Sequence, residues 1–176
     1  MANKIYETER LLIRPTFEDD AEFIFNLLNT PKWLKYIGDR NVKSVKDAAD
    51  YIQNRMLPQL ERLGFSNNTV IRKVDGKKIG TCGLYDRDGV DGIDIGFAFL
   101  PEYEGKGYAY ESSKTIRNAA FDDFNINTIN AYTTKDNLSS QKLLDKLGLK
   151  LIKTTKLPDD NEELLLYQIK KSSFLI

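Results

Sequence analysis

The sequence predicts a single α/β domain over residues 1–176, built on a mixed, mostly antiparallel sheet of seven strands flanked by about four helices. Three observations predict it. A chain of 176 residues suits one unit and is long enough to bury one substantial core. Apolar residues make up 41% and charged residues 30%, a balance that folds instead of staying disordered. The apolar residues switch between helical and extended periods along the chain, in the order β-α-α-β-β-β-α-β-α-β-β.

Leu11, Leu12 and Ile13 form a short strand that ends at Arg14-Pro15. Thr16 is expected to cap a helix, because Thr16-Phe17-Glu18-Asp19 has the form of a capping box and Phe17, Ala21, Ile24, Phe25 and Leu28 recur at helical spacing. That helix stops near Asn29-Thr30-Pro31. A second begins after Ser44 on Val45, Ala48, Ala49, Ile52, Met56 and Leu60, is bent by Pro58 and closes at Gly64. From Phe65 to Phe99 the pattern is extended. Asp75-Gly76 suits a type I′ hairpin turn, Arg87-Asp88-Gly89 marks the next turn, and Ile93, Ile95, Phe97 and Phe99 alternate with Asp94, Gly96 and Ala98. A helix follows from Tyr108 to about Phe124, then a strand from Thr128 to Thr133 and a helix from about Asn137 to Leu147 ended by Gly148. Strands near Leu149–Thr155 and Leu164–Ile169 complete the order.

Composition excludes several chemistries. Lys plus Arg and Asp plus Glu both number 26, so no field of one sign draws nucleic acid or anionic lipid to the whole surface, and any anion site is local. There is no histidine, which removes Ser-His-Asp, Cys-His and imidazole acid-base chemistry. Cys82 stands alone, so neither an internal disulfide nor a zinc cluster is expected; in a predicted central strand it reads as a small core residue. No metal is expected. Charges at Glu9-Arg10 interrupt the N-terminus before a signal-length apolar run develops, and no run approaches the roughly 20 residues that span a bilayer. A cytoplasmic protein without nucleic-acid or membrane partners is expected, as a monomer or homodimer.

The most informative stretch is Leu100-Pro101-Glu102-Tyr103-Glu104-Gly105-Lys106-Gly107-Tyr108-Ala109, a glycine-bearing loop between a strand and the first turn of a helix. Backbone N–H groups there, with the unpaired donors of the helix start, can cradle phosphate oxygens, and glycine permits close approach. Neither a dinucleotide fingerprint nor a P-loop is present: Tyr110 occupies the place of a third glycine, and no Ser or Thr follows the loop lysine.

At these residues the chain resembles the GCN5-related N-acetyltransferase superfamily, in its branch of ribosomal-protein N-terminal acetyltransferases. Glu9-Arg10-Leu11-Leu12-Ile13-Arg14 resembles the family's opening strand, and Glu104-Gly105-Lys106-Gly107-Tyr108-Ala109 its phosphate loop, with Glu104 where Gln, Arg or Trp is usual. Asn137-Leu138-Ser139-Ser140-Gln141-Lys142-Leu143-Leu144-Asp145-Lys146-Leu147-Gly148-Leu149 resembles its second block. The resemblance implies a sheet splayed between the fourth and fifth strands to admit acetyl-CoA. It implies that the main chain of Phe97 and Phe99 pairs with pantetheine, that the amides of Glu104, Gly105, Lys106, Gly107, Tyr108 and Ala109 hold the pyrophosphate, and that Asn137 contacts the cofactor arm.

The implied reaction is acetyl transfer to a primary amine by direct attack through a tetrahedral intermediate, with oxyanion donors among residues 97 to 100. Asp94 aligns with an acidic residue frequent in the family and is the candidate base, directly or through water. A tyrosine frequent in the family as acid is replaced by Leu144, which leaves the Ser140 hydroxyl to assist the departing sulfur. Trp33 and Tyr36 fall where the family places its substrate loop. A peptide N-terminus suits these residues, because an α-amine of pKa near 7.8 is about a third neutral at pH 7.4 and a lysine only about 0.1%. A small-molecule acceptor such as a polyamine, amino acid or antibiotic, and a silent acyl-CoA-binding module, stand as alternatives.

Overall fold

A computed structural model of the chain describes residues 2–174. Its strands are β1 (Tyr6–Glu7), β2 (Leu11–Pro15), β3 (Asn67–Arg72), β4 (Lys77–Asp86), β5 (Ile93–Phe99), β6 (Thr128–Thr134), β7 (Lys150–Thr155) and β8 (Leu164–Lys170). They form one sheet in the order β1-β2-β3-β4-β5-β6-β8-β7. The seven expected strands are present. The eighth, β1, is a two-residue edge strand pairing Tyr6 with Ile13 and Glu7 with Leu12, too short to show an alternation.

Every strand pair is antiparallel except β5–β6, which runs parallel and registers only Ile93 with Ile129 and Asp94 with Asn130. Beyond those pairs Gly96–Phe99 keeps its ladder to β4 and Ala131–Thr134 its ladder to β8, but neither has a registered partner in the other. The sheet therefore opens into a wedge between the two strands where the splay is expected.

The helices are α1 (Ala21–Leu28), α2 (Pro31–Tyr36), α3 (Val45–Tyr51), α4 (Leu57–Leu63), α5 (Tyr108–Asp122), α6 (Leu138–Lys146) and α7 (Lys171–Phe174). Among the described residues none is long and apolar enough to cross a membrane. The capping box expected at Thr16 is displaced by one residue. Asp20 accepts the Phe17 N–H at 3.0 Å, while the buried Thr16 hydroxyl bonds Thr69 Oγ1 at 2.8 Å. The single helix expected after Ser44 is α3 and α4 joined by a π-helical stretch, Ile52–Met56. Pro58, with no N–H to give, sits in the first turn of α4, and Gly64 closes that helix at φ 81°. Thr30-Pro31 ends α1 as expected but also begins α2: Thr30 caps the Trp33 N–H and Pro31 fits the first turn. The β3–β4 hairpin turns at Asp75-Gly76 through the four residues 73–76, not a type I′ pair. Gly76 alone takes positive φ, 68°, and its N–H reaches the Arg72 carbonyl at 2.8 Å.

Two apolar clusters sandwich the sheet. On one face Leu11, Ile13, Val70, Ile79, Leu84 and Ile95 meet Ile116, Ala120 and Phe121 of α5 and Leu144 and Leu147 around α6. On the other, Ile24, Leu27, Ala48 and Ile52 form a cluster against which Trp33, Ala98 and Leu100 pack. Burying each large aliphatic side chain contributes roughly 1.5–3 kcal/mol. Cys82 belongs to the first cluster, and burial pushes its thiol up to about 12, so it is an inert core residue.

Candidate active site

The open edge of β5 leads straight into the glycine loop. Leu100 donates its N–H to the Ile79 carbonyl of β4 at 3.0 Å. Strand alternation then turns the main chain of Ala98 the same way and that of Phe97 and Phe99 toward the wedge. Of the four oxyanion donors expected at residues 97 to 100, two face the opening and two face β4.

Past the short turn at Pro101–Tyr103, Glu104 donates its N–H to Pro101 O at 3.2 Å, so its amide is occupied and does not join the cradle. Gly105 and Gly107 take φ 72° and 83°, and Gly107 caps the start of α5. Among the described residues the N–H groups of Gly105, Lys106, Gly107, Tyr108, Ala109 and Tyr110 have no acceptor, and the first α5 bond is Glu111 N–H to Gly107 O at 3.0 Å. These donors are presented by a rigid support. Arg10 bonds the Lys106 carbonyl at 3.0 Å, pairs with Glu111 at 2.6 Å and lies 4.4 Å over the Tyr108 ring. Because a trans peptide directs C=O and N–H oppositely, fixing that carbonyl on Arg10 turns the Gly107 N–H away from Arg10. Burial opposes ionisation of Glu111, and donors from Thr8 and Arg10 more than offset it, holding its carboxyl below the usual range.

The other lip of the wedge is the start of α6. Asn137 caps it, its Oδ1 accepting from Ser140 N–H at 3.3 Å and Ser139 Oγ at 3.1 Å. Among the described residues this leaves the amide NH2 as a free donor. The Ser140 hydroxyl makes no hydrogen bond among the described residues, while Leu144 is buried in the core.

Asp94 lies at the root of the wedge, in the last registered pair before β5 and β6 part. It is 3% exposed, and Arg87 grips both oxygens, Nε to Oδ1 at 2.7 Å and Nη2 to Oδ2 at 3.0 Å. Burial pushes its carboxyl up, partly countered by Arg87. Beside it Tyr85 bonds Asn67 Oδ1 at 2.5 Å, and its ring occupies the space above Gly96, where a Cβ would come within 2.9 Å. Trp33 and Tyr36 lie on α2. Trp33 packs against the apolar cluster of α1 and α3, as Ala98 and Leu100 do; Tyr36 meets the Lys35 ammonium 4.7 Å from its ring, and no hydrogen bond joins it to the wedge among the described residues.

A family model described as acetyltransferase (GNAT) domain matches residues 10–150. The chain belongs to the GNAT acetyltransferase family. It is 32% identical over 143 residues to the uncharacterized N-acetyltransferase p20 of Bacillus licheniformis, covering 80% of this chain and 79% of that one. To the uncharacterized N-acetyltransferase YoaA of Bacillus subtilis (strain 168) it is 30% identical over 146 residues, covering 82% and 81%. The fold matches an acetyltransferase from Agrobacterium tumefaciens with a TM-score of 0.82 at 21% identity, covering 97% of this chain and 96% of that one. It also matches RimL, a ribosomal L7/L12 alpha-N-protein acetyltransferase in complex with coenzyme A, with a TM-score of 0.81 at 16% identity, covering 95% and 98%.

Within this GNAT frame the structure adds features that no local pattern announces. The Arg87–Asp94 pair spans a turn of no regular spacing. Among the described residues the Trp33 indole N–H and the Thr134 hydroxyl are buried without partners, the first on α2 and the second at the end of β6. A polar orphan in a folded chain is costly.

Proposed function

We propose that this GNAT enzyme transfers the acetyl group of acetyl-CoA to an α-amino group, at a peptide N-terminus or on a small amine of comparable basicity. One observation carries the cofactor part: the unbroken run of free N–H groups from Gly105 to Tyr110 at the mouth of a wedge whose walls lack strand partners. That donor set suits a diphosphate, with positive-φ glycines keeping side chains out of its approach. The wedge beyond suits an extended amide-bearing arm, which pairs with Phe97 and Phe99 as a strand would and reaches Asn137 on the far lip.

The Phe97 N–H, the one farther from the diphosphate loop, faces where charge develops on the carbonyl oxygen as the amine attacks, which leaves Phe99 and the strand carbonyls to the arm. Ser140 donates to the departing sulfur; a thiol of pKa about 8.5 needs only modest help. Asp94 takes the amine's proton through water. A carboxylate has about four acceptor sites, so the bidentate Arg87 contact leaves lone pairs free, and burial strengthens the base. Asp94→Asn is expected to lower kcat about 100-fold while the melting shift produced by acetyl-CoA persists. Parallel steady-state and melting measurements check this, and an unchanged kcat assigns Asp94 to a structural role alone.

A lysine amine of pKa near 10.4 is almost wholly protonated at neutral pH and needs a stronger base than a carboxylate paired with arginine, and this supports the α-amine reading. A peptide with a free N-terminus is expected to be acetylated faster than an N-terminally blocked peptide with one lysine under identical conditions. Faster lysine transfer overturns it.

A further inference from the structure

We propose that Lys32 of α2 completes the diphosphate cradle by neutralising Glu104, an acidic side chain that the loop carries at its entrance; the inference rests on the acetyl-CoA reading above. Glu104 immediately precedes the run of free N–H groups. A bare carboxylate there opposes a diphosphate by like-charge repulsion. The Lys32 ammonium, 72 residues away in sequence, forms an ion pair with Glu104 Oε2, and no other side chain bonds that carboxylate among the described residues.

The nearby cations are differently engaged. Arg10 is committed to Glu111 and the Lys106 carbonyl. Lys106 turns back along the loop, its Nζ donating to Glu102 O at 3.0 Å and lying 5.9 Å from the Tyr103 ring centroid. Lys32 is presented by a helix whose start is set by the Thr30 cap and Pro31. One turn on, Lys35 lies 3.9 Å from Asp136, beyond the end of β6. Thus α2 reaches both lips of the wedge, and its first lysine cancels the charge that the loop places against its own ligand.

The rival is a mere strut, in which the pair fixes α2 and either partner is equally needed. The two roles differ in sign. Coenzyme A affinity is measured by calorimetry on the full chain, with melting of the ligand-free protein read alongside. Lys32→Ala is expected to raise Kd about tenfold, the effect of one unit charge some 7 Å away in a medium between protein and water. Glu104→Gln is expected to leave Kd unchanged or lower it, and Lys32→Ala with Glu104→Gln to return it to within about threefold of the parent. If Glu104→Gln weakens binding as much as Lys32→Ala, or the double variant is no better than Lys32→Ala, the proposal is overturned while the acetyl-CoA reading stands. Failure of the parent protein to bind coenzyme A overturns both.

Discussion

Gly107→Asp is expected to erase the stabilisation that acetyl-CoA gives the parent protein. A ligand at 100 times its Kd contributes about 2.7 kcal/mol to the folded state. For a chain of this length that is a melting shift of roughly 5–11 °C. Gly107 takes φ 83°, and a Cβ there would approach Arg10 Nη2 to 3.3 Å. A side chain at this position is strained and presses on the guanidinium that supports the loop. Aspartate adds a negative charge at the foot of the loop, which opposes the diphosphate by like-charge repulsion and disturbs the Arg10 contacts that support the free N–H groups. Gly107→Ala shares the strain and lacks the charge, so it is expected to retain part of the shift. Melting curves of the three proteins with and without acetyl-CoA check the prediction, and a full shift in Gly107→Asp refutes it.

Asp20→Ala is expected to cost about 3–5 kcal/mol of stability, because it removes the centre of a buried charge cluster. Asp20 is fully buried and accepts from Arg14 at 2.8 and 2.9 Å, Lys78 at 2.7 Å, Thr69 at 3.0 Å and the Phe17 N–H at 3.0 Å. Burial alone raises its carboxyl, but Arg14, Lys78 and the Phe17 N–H outweigh it and hold the group far below the usual carboxylate range. A depressed folded-state value favours the native state above the unfolded pKa near 3.9, and this contribution is lost as pH falls below it. Asp20→Ala therefore lowers the melting temperature by on the order of 10 °C at pH 7, and the gap to the parent narrows below about pH 4. A gap that stays constant as the pH is taken from about 4 down toward 2 contradicts the charge account.

The strands and the glycine loop are legible in the sequence because their causes are local. Alternation of Ile93, Ile95, Phe97 and Phe99 needs only the strand period, and the cradle needs only glycines before a helix start. The Arg10 and Arg14 positions are visible as a pattern, but their roles are not: each finds its acid, Glu111 or Asp20, through the fold. Pro31 reads as a stop, and the same proline opens α2 because Thr30 supplies a cap. The offset at Thr16 has a similar origin, since Asp20 serves Phe17 once the arginine fixes it. Lys32 with Glu104, and Thr134 with its missing partner, depend on elements brought together from distant parts of the chain. No spacing rule reaches that far.

The short parallel ladder between β5 and β6 makes the sheet two panels joined by a narrow seam. One panel is woven from residues 6–99 and the other from residues 128–170, with α5 as the link between them. Whatever fills the gap past Asp94 takes over the cross-bonding that neighbouring strands elsewhere supply to each other. Occupancy and cohesion of the two panels thereby become a single equilibrium, and the guest serves as mortar as well as reagent.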